Sequence, residues 1–196
     1  MLCELSSSRA GDALESLLEE ALAAALGRGT LLNAVLARSE RERSALWQLR
    51  ESVPEAQRRA GASLKHDICL PLAALPEFVS RAAAWLSAQV SEGYLVAYGH
   101  VGDGNLHFNL TQTKGVEGAR LLARAAEVRR AVHELVREFG GSFSAEHGIG
   151  RLKVAELERY ASPVELQLMR AVKQAFDPRG IMNPGKVLRE AAEESR

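Results

Sequence analysis

The stretch Tyr98–Leu110, "YGHVGDGNLHFNL", decides the fold. Strand-forming residues flank a Gly-Asp-Gly-Asn core, and Asp-Gly supplies the positive backbone torsions that a tight hairpin needs. Centring the turn on Asp103-Gly104 predicts Val101 opposite Leu106, His100 opposite His107 and Gly99 opposite Phe108. The two imidazoles then form a directly opposed cross-strand pair with Cβ atoms about 5 Å apart, a spacing from which both reach one ion. Asn109 shares the face of His107, whereas Val101, Leu106, Phe108 and Leu110 take the other. The hairpin therefore has one polar face and one core face.

Further elements lie on either side of it. "LKHDICLP" alternates, with Leu64, His66, Ile68 and Leu70 facing one way and Lys65, Asp67 and Cys69 the other, and Pro71 closes that strand. Upstream, "DALESLLEEALAAALG" reads as an amphipathic helix capped by Asp12 with Glu15 and stopped at Gly27. A short strand is predicted over Leu32 to Ala37, then a helix from Ser39 with Glu42 in the capping-box position and Arg50 near its far end, disturbed by Pro54. A helix from Pro76 to Gly93 precedes the hairpin, and a long one from Glu117 to Phe139 follows it. "SPVELQLMRAVKQAFDP" is a punctuated helix with Ser162 as cap, Pro163 first and Glu165 third, and the tail from 189 to 196 is expected to fray. This order predicts an α+β fold: an antiparallel sheet with helices on one face, in a ferredoxin-like split βαβ arrangement.

A chain of 196 residues suits one globular unit. Lys plus Arg and Asp plus Glu both total 25, so no net field favours nucleic acid or an anionic membrane. Charges interrupt every apolar run before membrane-spanning length, and "MLCELSSSRAGD" lacks the pattern of a signal peptide, which points to a cytoplasmic protein. A homodimer is among the assemblies this composition admits. Cys3 and Cys69 form no close-spaced pair and read as reduced thiols. The abrupt strand-like start "LCELS" would suit a piece of a longer polypeptide.

"SAEHGIGRLK" adds Glu146 and His147. Adjacent residues point apart in extended backbone, but a glycine-rich loop can aim both at one cavity. Two imidazoles and a carboxylate leave open positions on a metal, the pattern of a catalytic site. The competing reading is a helix-entry loop with Glu146 favoured by a helix dipole. Arg50 and Lys65 are cations suited to a carboxylate, and also ordinary surface charges. His66 reads as a packed histidine, and His133, off its helix's apolar stripe, as an exposed one. No phosphate loop, nucleophile elbow, HExxH or paired CxxC is present.

Five segments in order, "LRESVPEA", "LKHDICLP", "YGHVGDGNLHFN", "GGSFSAEHGIGRLK" and "FDPRGIMNPGKVL", resemble the C-terminal domain of FAD-linked oxidases of the vanillyl-alcohol oxidase type, the group of D-lactate dehydrogenases, the glycolate oxidase flavin subunit and D-2-hydroxyglutarate dehydrogenase. The resemblance covers almost the whole chain. It implies that His100, His107 and Glu146 ligate a divalent metal, zinc or manganese. It gives Arg50, Lys65 and Asn109 the substrate's carboxylate and hydroxyl, and makes His147 the base beside the reacting carbon. It also places the "NPGK" segment, with Asn183, Gly185 and Lys186, close to FAD. The implied reaction oxidises a small 2-hydroxy acid to the 2-oxo acid by hydride transfer to flavin.

Two departures stand out. Ala145 occupies a place where many members have glycine, and Pro54 one where hydroxyglutarate enzymes resemble one another in carrying a hydroxyl side chain, which speaks against that substrate. The family's FAD-binding domain is not within this sequence, so the implied partner is that domain of the same polypeptide, and the chain alone is expected to be inactive. A metal-dependent hydrolase and a non-catalytic metal-binding module are the rival readings.

Overall fold

The structure, a computed structural model, describes every residue except Ala10, Asp12 and 190–196. The Asp12 cap and all but the first residue of the expected tail fall outside the described residues. The described chain forms two compact units, Met1–Arg59 and Ala60–Arg196.

The first unit is helical: α1 (Leu14–Gly27), α2 (Glu40–Glu51) and α3 (Val53–Ala60). Ser39 caps α2 as expected, its hydroxyl accepting from the Glu42 N–H at 3.2 Å, and the Glu42 carboxylate accepts from the Arg38 N–H at 2.7 Å. Pro54 does not disturb α2; the helix has ended at Glu51, and the proline opens α3, where its missing N–H costs no bond. Neither "LCELS" nor Leu32 to Ala37 is a strand. A strand needs a hydrogen-bonded neighbour, and among the described residues the latter segment has none, leaving Leu32 and Val35 exposed.

In the second unit, β1 (Ser63–Leu64), β2 (Asp67–Cys69), β3 (Gly93–His100) and β4 (Asn105–Gln112) form one antiparallel sheet. β4 is its middle lane, with β3 on one side and β1 and β2 in line on the other. The alternation predicted for Leu64 to Leu70 holds, since Leu64, His66, Ile68 and Leu70 are all buried. Their face receives α4 (Leu75–Gln89), through Phe78, Ala82 and Leu86, and α6 (Ala125–Glu138), through Val128, Val132 and Val136. Phe78 meets Phe108 of β4 edge-on at 5.3 Å between centroids. The expected α+β class, with an antiparallel sheet covered by helices on one face, is what the structure has.

Two expectations change. The predicted helix from Glu117 to Phe139 is two helices, α5 (Gly118–Ala123) and α6, broken at Arg124. The Arg124 N–H bonds the Leu121 carbonyl three residues back, tightening the turn, and its guanidinium is held there by Glu127 and Glu92. His133 is buried rather than exposed, because α6 presents it to the rings of His66, Phe143 and Tyr160. α7 (Val154–Tyr160) and α8 (Pro163–Phe176) complete the unit. α8 has the full capping box: Ser162 accepts from the Glu165 N–H, and Glu165 accepts from the Ser162 N–H.

Candidate functional site

The hairpin register differs from expectation by two residues. Tyr98 opposes His107, and His100 opposes Asn105, so the connection is the four-residue turn Val101 to Gly104. The Asp103 carboxylate accepts from the Asn105 N–H at 3.0 Å, and Gly104, at φ +75, gives its carbonyl to the Leu70 N–H at 3.0 Å. A Cβ on Gly104 would lie 2.0 Å from the Leu70 oxygen, so this backbone contact requires glycine. A two-residue slip preserves side-chain parity. His100 and His107 therefore still share a face, but as a diagonal pair rather than an opposed one.

Glu146 joins them. One carboxylate oxygen lies 3.1 Å from His100 Nδ1, and the other 3.6 Å from His107 Nε2. His147 faces the same place, its ring 5.8 Å from that of His107 in a stacked arrangement. α7 begins only at Val154, so the helix-dipole reading of Glu146 does not apply. His107 is mostly buried, whereas His100, Glu146 and His147 are open to solvent. The donor set has one sheltered imidazole and an accessible side.

Beneath it lies Asp67, which sequence reasoning noted only as a polar-face residue of its strand. It pairs with His107 across β2 and β4 and is 3% exposed. One oxygen accepts from the Asn105 side-chain amide at 3.0 Å and stands 3.6 Å from His107 Nδ1. The other accepts from the backbone N–H groups of His147 at 2.8 Å and Ala145 at 3.3 Å, and stands 3.7 Å from His147 Nδ1. Burial pushes this carboxyl up, but the His147 N–H and the Asn105 amide outweigh that and hold it below the usual carboxylate range. The signal available in sequence was an acid on the polar side of a strand, two residues from Lys65.

Potential ligand atoms of Asp67, His107 and His147 lie within 4.8 Å of one another, a second convergence open to an ion. The oxygens of Asp67 are already occupied by N–H donors, whereas those of Glu146 face imidazole nitrogens. Among the described residues, Asp67, His107 and His147 are the set whose ligand atoms converge this closely, and His100, His107 and Glu146 offer the other combination of two imidazoles and a carboxylate.

The other expected residues are placed as follows. Asn109 is buried, its side-chain oxygen accepting from the His66 N–H at 3.2 Å, so it supports the junction of β1 and β2 with β4. Lys65 is exposed between β1 and β2. Arg50 is half-buried in α2 of the first unit. Asn183 and Gly185 have positive φ, and the Lys186 ammonium donates to the Asn183 side chain at 3.1 Å. The Val187 N–H bonds the Gly150 carbonyl at 2.7 Å, tying this turn to the loop that carries Glu146. The turn borders an apolar groove of about 640 Å³ against α8, with Leu168, Val172 and Phe176 on its walls. His66 is packed as expected: its Nδ1 donates to the Phe108 carbonyl at 2.8 Å.

The chain matches the family "FAD linked oxidases, C-terminal domain" over residues 1–187. Among similar proteins, a D-2-hydroxyglutarate dehydrogenase of Stutzerimonas stutzeri (strain A1501) is 38% identical over 160 residues, covering 82% of this chain and 34% of that protein. One from Xanthomonas citri pv. viticola is 34% identical over 179 residues, 91% of this chain and 38% of that protein. The mitochondrial D-2-hydroxyglutarate dehydrogenase of Bos taurus is 40% identical over 164 residues, 83% and 29% respectively. The chain spans about a third of the length of the curated relatives it matches.

Proposed function

The chain belongs to the FAD linked oxidases as their C-terminal domain, and from that membership we propose that it is the substrate- and metal-binding part of an FAD-dependent 2-hydroxy acid dehydrogenase. The observation that carries the reading is the Glu146 carboxylate set between His100 Nδ1 and His107 Nε2. D-2-hydroxyglutarate is the first substrate to test, because the relatives named above carry that activity in their names. Glycolate and D-lactate come next, since Pro54 offers no hydroxyl.

A divalent ion, zinc or manganese, held by these three residues would acidify the substrate hydroxyl, and FAD bordered by Asn183, Gly185 and Lys186 would take the hydride from the α-carbon. His147 stands at the open side of the site and accepts the hydroxyl proton, with the Asp67 carboxylate 3.7 Å from its Nδ1. Lys65 fixes the carboxylate, which orients the α-carbon, and Asn109 braces the junction of β1 and β2 with β4 beside His107. The oxidation removes one hydride, which carries both electrons, from the α-carbon to flavin and one proton from the hydroxyl to His147, and the 2-oxo acid is released.

The test is dye-coupled oxidation of the three acids by the holoenzyme containing this chain and FAD. Turnover should fall by roughly 10²–10⁴-fold in His147→Ala. Full activity in that variant would remove His147 as the base, and hydrolytic turnover without flavin would favour the hydrolase.

A further inference from the structure

We propose that Asp67 is a positioning residue that staples the loop carrying Glu146 and His147 to the sheet carrying His107; this rests on the metal reading above. The loop has little of its own to hold it. It runs between Gly140-Gly141 and Gly150, and Gly140, Gly148 and Gly150 all have positive φ. Ser144 closes a small ring by donating to the Gly148 carbonyl at 2.7 Å, and the Lys153 ammonium grips the outer side through the Phe143 carbonyl at 3.3 Å and Ser144 Oγ at 3.0 Å. None of these bonds reaches β2 or β4. Among the described residues, the loop backbone is bonded to the strands by the bridge between Cys69 and Ser142 and, next to the functional residues, by Asp67.

Asp67 is built for the task. Its backbone carbonyl accepts from the Ala145 N–H at 3.3 Å, and its side chain accepts from the N–H groups of Ala145 and His147, the residues on either side of Glu146. With both flanking amides held, the Glu146 side chain is delivered toward the histidines and the His147 ring is laid beside His107. The second carboxylate oxygen is anchored by Asn105, the residue opposite His100. One side chain thereby connects the hairpin, β2 and the loop. Donors converge on both oxygens, so a carboxylate is required: an amide would turn an NH2 toward an N–H on one side or the other.

Asp67→Asn and Asp67→Ala test the proposal in the 196-residue chain with zinc as the probe. The zinc dissociation constant should rise roughly tenfold to a hundredfold, with Asn no better than a partial rescue. Backbone amide exchange at Ala145 and His147, read by NMR in metal-free protein, should accelerate while that of β4 and α6 stays unchanged. A general loss of fold would accelerate all of them, which is why the comparison is internal and why the milder Asn variant is included. Unchanged exchange at Ala145 and His147, or zinc affinity within about twofold of wild type, would overturn the inference. If wild type binds no zinc, the metal reading fails, and accelerated exchange in the variants still supports the staple.

Discussion

Acidification should destabilise this chain well before its carboxylates protonate, through two buried histidines, His66 and His133. Burial pushes His66 from 6.5 down to about 4 against a favourable bond to the Phe108 carbonyl, and burial together with the nearby His66 pushes His133 down to about 3. Arg129 and Lys153 add to both depressions, and the His133 Nδ1 has no hydrogen-bond partner among the described residues. In the unfolded chain both rings take up a proton below about 6.5, while the native rings stay neutral, so stability is complete above that pH and falls as acid is added. For His66 the gap of 6.5 to about 4 corresponds to about 3 kcal/mol. With both rings the slope approaches about 2.7 kcal/mol per pH unit, which consumes much of a net stability of about 5–15 kcal/mol by pH about 4.5. Urea unfolding at a series of pH values reads this directly, and His133→Phe should halve the slope between about pH 6 and 4.5. Asp67, whose carboxyl is held low, loses its contribution only at more acidic pH and so falls in a separate window. Stability that stays flat from about pH 6 to 4.5 would refute the reasoning.

Other consequences follow from the same contacts. Gly104→Ala must place a Cβ 2.0 Å from the Leu70 oxygen at φ +75, and should cost more than about 1–3 kcal/mol by urea unfolding. Phe78→Ala, which empties a fully buried position against Phe108 and Phe139, should cost about 3–5 kcal/mol in the same assay. Lys65→Met, at an exposed position, should leave the melting temperature unchanged and raise the KM of the holoenzyme for a 2-hydroxy acid on the order of tenfold, with kcat less affected.

The sheet and its helical cover were legible because their periodicities are strong. Leu64, His66, Ile68 and Leu70 alternate into the core, and Ser162, Pro163 and Glu165 announce α8 where it begins. The hairpin could be read in parity but not in register, because Asp-Gly signals a turn without saying how many residues form it. Here the Asp103 bond to Asn105 and the Gly104 contact with Leu70 select four. Leu32 to Ala37 has strand composition without a partner among the described residues, and composition alone carries no ladder. His133 was misjudged because helix periodicity places apolar residues and gives no sign of an aromatic pocket built from His66, Phe143 and Tyr160, which are distant in sequence. Glu146 and His147 were found from their chemistry and from the family resemblance. Asp67 was missed as a functional residue because its partners are backbone amides about eighty positions away, and such a bond leaves no mark in side-chain spacing.

The most direct test of the central claim is zinc stoichiometry after dialysis, measured by elemental analysis on wild type and four variants. Wild type should hold about one zinc per chain, His100→Ala, His107→Ala and Glu146→Gln should lose it, and His147→Ala should keep it. Zinc retained by Glu146→Gln and lost from His147→Ala would contradict the account and move the ion to Asp67, His107 and His147.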